Sequence, residues 1–130
     1  MKETKDLLKR WMQFAREDLI VAKQILKSDF PVYRAACFQC QQSIEKYLKA
    51  YQIFFEIRII KTHDLSGIID TLVDFDKTIE NFKGSLNAIT NYAVAYRYPD
   101  DFEDLKKDNV EEAISIATEI EKYITEKILL

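Results

Sequence analysis

The sequence predicts an all-α protein, an antiparallel up-and-down bundle of four long helices with one short helix inserted. Two observations carry this. The chain has 130 residues but two glycines and two prolines, where average usage gives about nine and six or seven. Turn-rich sandwiches, barrels and Rossmann units need more of both. The apolar residues also recur at alternating spacings of three and four, the period of one helix face. With 32% charged and 48% hydrophobic residues, the chain suits one domain over residues 1–130, neither disordered nor membrane-embedded.

The first helix is expected from about Thr4 to Lys27, with Leu8, Trp11, Ala15, Leu19, Ala22 and Leu26 on one face. Ser28-Asp29-Phe30-Pro31 breaks it, and Pro31 suits the first turn of a second helix running to about Glu56. That helix carries Cys37, Cys40, Ile44, Tyr47, Tyr51 and Phe54 near a 3.5-residue period, a bundle seam. Gln39, Gln42, Glu45, Lys46 and Lys49 lie largely off the stripe. Thr62-His63-Asp64 offers N-cap oxygens to a short helix over about Leu65–Val73. A fourth helix, about Ile79–Tyr96, must end near Arg97, because Pro99 pushes Tyr98 out of the α region. Asp108 with Glu111 reads as the capping box of a last helix carrying Val110, Ala113, Ala117, Ile120 and Ile124.

The net charge of −3 argues against a broad basic nucleic-acid face but leaves room for a local basic pocket. Met1–Asp6 lacks a signal peptide's apolar stretch, and no apolar run approaches the roughly 20 residues of a membrane span. The expected setting is cytoplasmic.

Cys37-Phe-Gln-Cys40 has the spacing of half a zinc site or a redox pair. The single histidine and the absence of further cysteines leave no four-ligand set, and both sulfurs fall on the apolar stripe. Two small buried hydrophobes are therefore expected, with no metal and no cofactor. His63 suits either general acid–base work or a capping role beside Asp64. Arg58 and His63, with four residues between them, hold the types needed to stabilise a phosphorane-like charge and move a proton. Arg97-Tyr98-Pro99-Asp100 can present a guanidinium and a ring to a phosphate and a base, or simply terminate a helix. Tyr92, Tyr96, Tyr98 and Phe102 around that turn suit edge packing or a dimer surface. Lys46, Lys49, Arg58 and Lys61 form either a basic strip or a solvated face.

The stretch Arg34-Ala-Ala-Cys-Phe-Gln-Cys-Gln-Gln-Ser-Ile-Glu-Lys-Tyr-Leu-Lys-Ala50 resembles the second-helix signature of HEPN-domain proteins. Thr62-His63-Asp64-Leu65 is similar to that family's start of the short helix, and Arg97-Tyr98-Pro99 to its element before the last helix. The resemblance covers about residues 5–125. It implies a compact helical bundle, commonly a homodimer. Stand-alone members are often encoded beside a minimal nucleotidyltransferase, with the HEPN protein as RNA-cleaving toxin and the transferase as antitoxin. Other members are inactive and thought to bind nucleotides or partners.

Active HEPN ribonucleases carry arginine, four to six residues, then histidine near the start of the last helix. Here no histidine follows Arg97, and Arg58 with His63 meet the spacing at the end of helix two instead. The expectation is thus a homodimeric HEPN bundle that binds a nucleotidyltransferase partner and/or nucleotide or RNA and is not an efficient enzyme. Its binding residues would be Arg97, Tyr98, Asp64 and Arg58. The alternatives are a metal-independent toxin ribonuclease using His63 and Arg97, and a purely structural interaction module.

Overall fold

The structure is a computed structural model that describes residues 2–59, 61–97 and 105–129, with backbone alone for 91–97. Its elements are α1 (Lys2–Lys27), α2 (Tyr33–Phe54), α3 (Leu65–Leu72), a 3-10 helix (Lys77–Phe82), α4 (Lys83–Arg97) and α5 (Lys107–Ile128). The expected all-α class holds, and no strand occurs among the described residues.

Helix α2 occupies the middle and packs against α1, α3, α4 and α5. Thirteen of its 22 residues are buried, against four of the 26 in α1. The helix that is wrapped on all sides is therefore α2, and α1 lies outside it with one face wet. Small residues mark the seam between them. Ala36, Ser43 and Ala50 recur every seven residues on α2 and are all fully buried. Ser43 Oγ donates to the Ala15 carbonyl at 2.7 Å, so the two backbones approach closely. Lys46 on α2 also pairs with Asp18 on α1.

Three local expectations change. Helix α2 starts at Tyr33, with Val32 as its N-cap. Pro31 stands before the helix, where its fixed φ shapes the turn out of α1. Residues 77–82 form a separate 3-10 helix, because Asp76 caps there by accepting from the Thr78 N–H at 3.1 Å. The Asp108–Glu111 box does not form. Helix α5 begins two residues earlier, with Lys106 as N-cap and Asn109 Oδ1 accepting from the Lys106 N–H at 2.8 Å. Asp108 sits instead in the first turn, where a carboxylate favours the positive end of the helix dipole.

Asp76 ties three elements together. Its Oδ2 accepts from Tyr51 Oη on α2 at 2.7 Å and from Tyr123 Oη on α5 at 2.5 Å. Burial alone would raise its pKa, but the two tyrosine bonds, the Thr78 N–H and Lys127 together hold it below the usual carboxylate value. Burial first, and the bond to Asp76 second, push both tyrosines up. An acid with a depressed folded pKa stabilises the fold above its unfolded pKa, and that contribution is lost as pH falls through the folded value.

Asp76→Ala should cost about 2–4 kcal/mol in denaturant unfolding at neutral pH, from one lost cap and two orphaned phenols. The stability gap between the parent protein and Asp76→Asn should shrink below about pH 4; a gap independent of pH contradicts this assignment. Gly84 in the first turn of α4 has no heavy atom, its own chain neighbours and helix backbone aside, within 4 Å of where a Cβ would stand. Gly84→Ala should therefore stabilise by about 0.5–1 kcal/mol and raise the melting temperature.

Candidate functional site

The described site forms where the segment before α3 crosses α2. Glu45 was expected off the apolar stripe, yet its side chain is only 6% exposed. It faces the chain entering α3 rather than solvent. Glu45 Oε1 lies 2.8 Å from His63 Nδ1, and Oε2 lies 3.4 Å from Lys49 Nζ. An ionised carboxylate can only accept, so His63 Nδ1 carries the proton. The ring is 64% exposed, which leaves Nε2 to solvent as an acceptor when neutral and a donor when protonated.

Lys49 is itself largely enclosed, with its ammonium 5.7 Å from the centroid of the Trp11 ring. A buried carboxylate is tolerated because a cation and a ring N–H satisfy it. With neutral histidine the cluster sums to zero, and protonation of His63 makes it +1, a charge state that attracts phosphate. His63 is held from α2, so it does not act as the cap of α3. That role belongs to Asp64, whose Oδ1 accepts from the Ser66 N–H at 3.2 Å. Thr62 Oγ1 in turn accepts from the Asp64 N–H at 3.1 Å. A Cβ on Gly67 would stand 3.3 Å from Asp64 Oδ2, so glycine keeps the capping carboxylate unobstructed.

The remaining candidates divide. Arg58 is exposed on the segment between α2 and α3. Lys46 and Lys49 are neutralised by Asp18 and Glu45, so the two lysines do not contribute free charge to a basic strip. Arg97 is the last residue of α4; its side chain lies outside the described residues, as do Tyr98, Phe102 and the side chains of Tyr92 and Tyr96. Glu45 is the residue that spacing did not flag. Its signal was the i, i+4 step to Lys49 together with a position between polar and core faces.

Cys37 and Cys40 are both free and buried. Burial, with Glu112 adding to it at Cys37, pushes each thiol up to about 12. The expectation of two small core hydrophobes is met by their position. Among the described residues, no group of three or more histidine, cysteine or acidic side chains could hold a metal, and no helix is long and apolar enough to cross a membrane.

Residues 8–128 match the family model described as the HEPN domain. Among solved structures, the chain is similar to TT1696 from Thermus thermophilus, with 26% identity and a TM-score of 0.74 over 92% of this chain and 97% of that one. It also shares its fold with ST0689, an archaeal HEPN homologue, with 24% identity and a TM-score of 0.69 over 93% and 97% of the two chains. No curated protein matches the sequence.

A thiol with a pKa near 12 is about one part in 10⁵ thiolate at pH 7. The native protein should therefore release essentially no thionitrobenzoate from Ellman's reagent, and two equivalents once unfolded. Rapid labelling of the folded chain would show that the sulfurs are accessible.

Proposed function

Because this chain belongs to the HEPN domain family, we propose that it works as a cytoplasmic, single-domain homodimer that binds a minimal nucleotidyltransferase partner and/or a nucleotide or RNA. The observation that carries this is the buried Glu45 carboxylate holding His63 at 2.8 Å while the imidazole faces solvent. A buried charge costs stability unless it is fully satisfied, and here it fixes the orientation of an exposed imidazole. Nε2 then supplies a directed contact to a phosphate oxygen. Arg97 and Tyr98 are the further binding candidates, as guanidinium and stacking ring, with Asp64 and Arg58 at the margin.

The pair Glu45–His63 also favours a second reading, a metal-independent ribonuclease. A carboxylate-oriented imidazole is the arrangement of a general base. Nε2 would take the proton of a ribose 2′-hydroxyl as its oxygen attacks the adjacent phosphorus; the P–O5′ bond would break, leaving a 2′,3′-cyclic phosphate, the departing 5′-oxygen would take a proton from water, and Arg97 would stabilise the charge on the phosphoryl oxygens.

Binding of a labelled single-stranded RNA oligonucleotide and of ATP, read by anisotropy and equilibrium dialysis, separates these readings from a purely structural module. His63→Ala and Arg97→Ala should each weaken binding about tenfold or more, the value of one hydrogen bond to a charged group. Affinity should also fall with added salt. Unchanged affinity for RNA, ATP and a co-purified nucleotidyltransferase in both variants contradicts the binding reading. Growth arrest on expression that is abolished by His63→Ala, with EDTA-insensitive RNA cleavage in vitro, selects the ribonuclease.

A further inference from the structure

Helix α1 carries two stripes. One, Leu8, Met12, Ala15, Leu19, Ala22 and Leu26, turns inward to the core. The other lies one residue earlier, about 100° around the helix: Leu7, Trp11, Phe14, Asp18, Val21 and Ile25, with the same alternation of four and three, of which Trp11 and Ile25 also pack in part against the core. That periodicity is what a helix shows to a second helix. Yet Leu7, Phe14 and Val21 are 48%, 45% and 39% exposed. Two shallow apolar clefts run along it. One of about 290 Å³ is framed by Leu7, Arg10, Trp11, Phe14 and Lys46. The other, of about 400 Å³, lies beside Val21, Ile25, Phe30 and Val32.

The stripe is complementary to itself when reversed. With a two-fold axis beside Phe14, each residue meets the one whose number brings the sum to 28. Phe14 then meets Phe14, Leu7 meets Val21, and Arg10 meets Asp18 with Glu17 adjacent. At the centre apolar groups face apolar groups, and a cation faces an anion twice over, as an isologous contact requires; Trp11 and Ile25, already packed in part against the core, fall opposite Glu17 and Glu3. Arg10 has no ion pair among the described residues. Asp18 already holds Lys46, and a partner's arginine would complete a cation–anion–cation row.

We infer that this outer face of α1 is where two copies of the chain meet, packed antiparallel across Phe14; the inference rests on the homodimer proposed above and assigns its interface. Phe14 is surface-exposed, so substitution there leaves the core intact.

The test is site-directed cross-linking of the full chain with mass measured by light scattering. Phe14→Cys lies on the axis and should give a disulfide dimer alone. Leu7→Cys and Val21→Cys should cross-link only when combined. The native cysteines are fully buried and add no background. Phe14→Glu should halve the mass while helical circular dichroism is unchanged. A parent protein of dimer mass whose Phe14→Cys form does not cross-link, or whose Phe14→Glu form stays dimeric, overturns this interface and leaves the dimer standing on another face. Monomer mass in the parent protein overturns both. A monomer whose Phe14→Glu form loses a nucleotidyltransferase partner reassigns the face to that partner.

Discussion

Helix α2 is surrounded by the other helices, and a surrounded helix has to dispose of its polar side chains. Gln41, Ser43, Glu45 and Gln52 are all buried on it, and Tyr47 and Tyr51 bring phenols into the interior. Leaving such groups unpaired costs about 1–3 kcal/mol each. The fold answers by giving most of them a partner on a different neighbour. Ser43 reaches the α1 backbone, Tyr47 reaches Glu121 on α5, Tyr51 reaches Asp76, and Gln52 Nε2 reaches Thr71 on α3 at 2.9 Å. Apolar burial is non-directional and would tolerate these helices slid or rotated against α2. The polar bonds are directional, so they fix the register of each neighbour.

Glu45 belongs to the same set, and that links fold to function. Its partner is the exposed end of a loop rather than a buried helix. The rigidity of the central helix is thereby passed to a solvent-facing imidazole at the mouth of α3. Capping by Asp64, with Gly67 leaving it room, holds the same loop from the other side. A histidine on a loop is ordinarily free to rotate. This one is anchored at Nδ1, so Nε2 has a defined direction, which is the condition for either recognising a phosphate or moving a proton.

Much of this was legible in the sequence, for reasons that differ residue by residue. Glycine scarcity and the three-four spacing predict helices because both are local properties. Asp64 as a cap is equally local, since an acid just before an apolar periodic run satisfies nearby N–H groups. Glu45 was not legible as buried, because its burial depends on which loop crosses α2, a non-local fact. The 3-10 helix escaped for the same reason: Asp76 is fixed by two tyrosines, 25 residues before it and 47 after it. The outer stripe of α1 escaped because Leu7, Phe14 and Val21 lie beside the inward face, and their exposure is fixed only by how α1 is turned against α2.

The central claim is that buried Glu45 on α2 acts on ligand only through the orientation of His63. A double-mutant cycle on RNA affinity tests it most directly, with Glu45→Gln, His63→Ala and the combined variant. The account predicts that Glu45→Gln weakens binding in the presence of His63 and has no further effect once His63 is alanine. Losses that simply add would contradict it, because Glu45 would then be acting by a route that does not pass through His63.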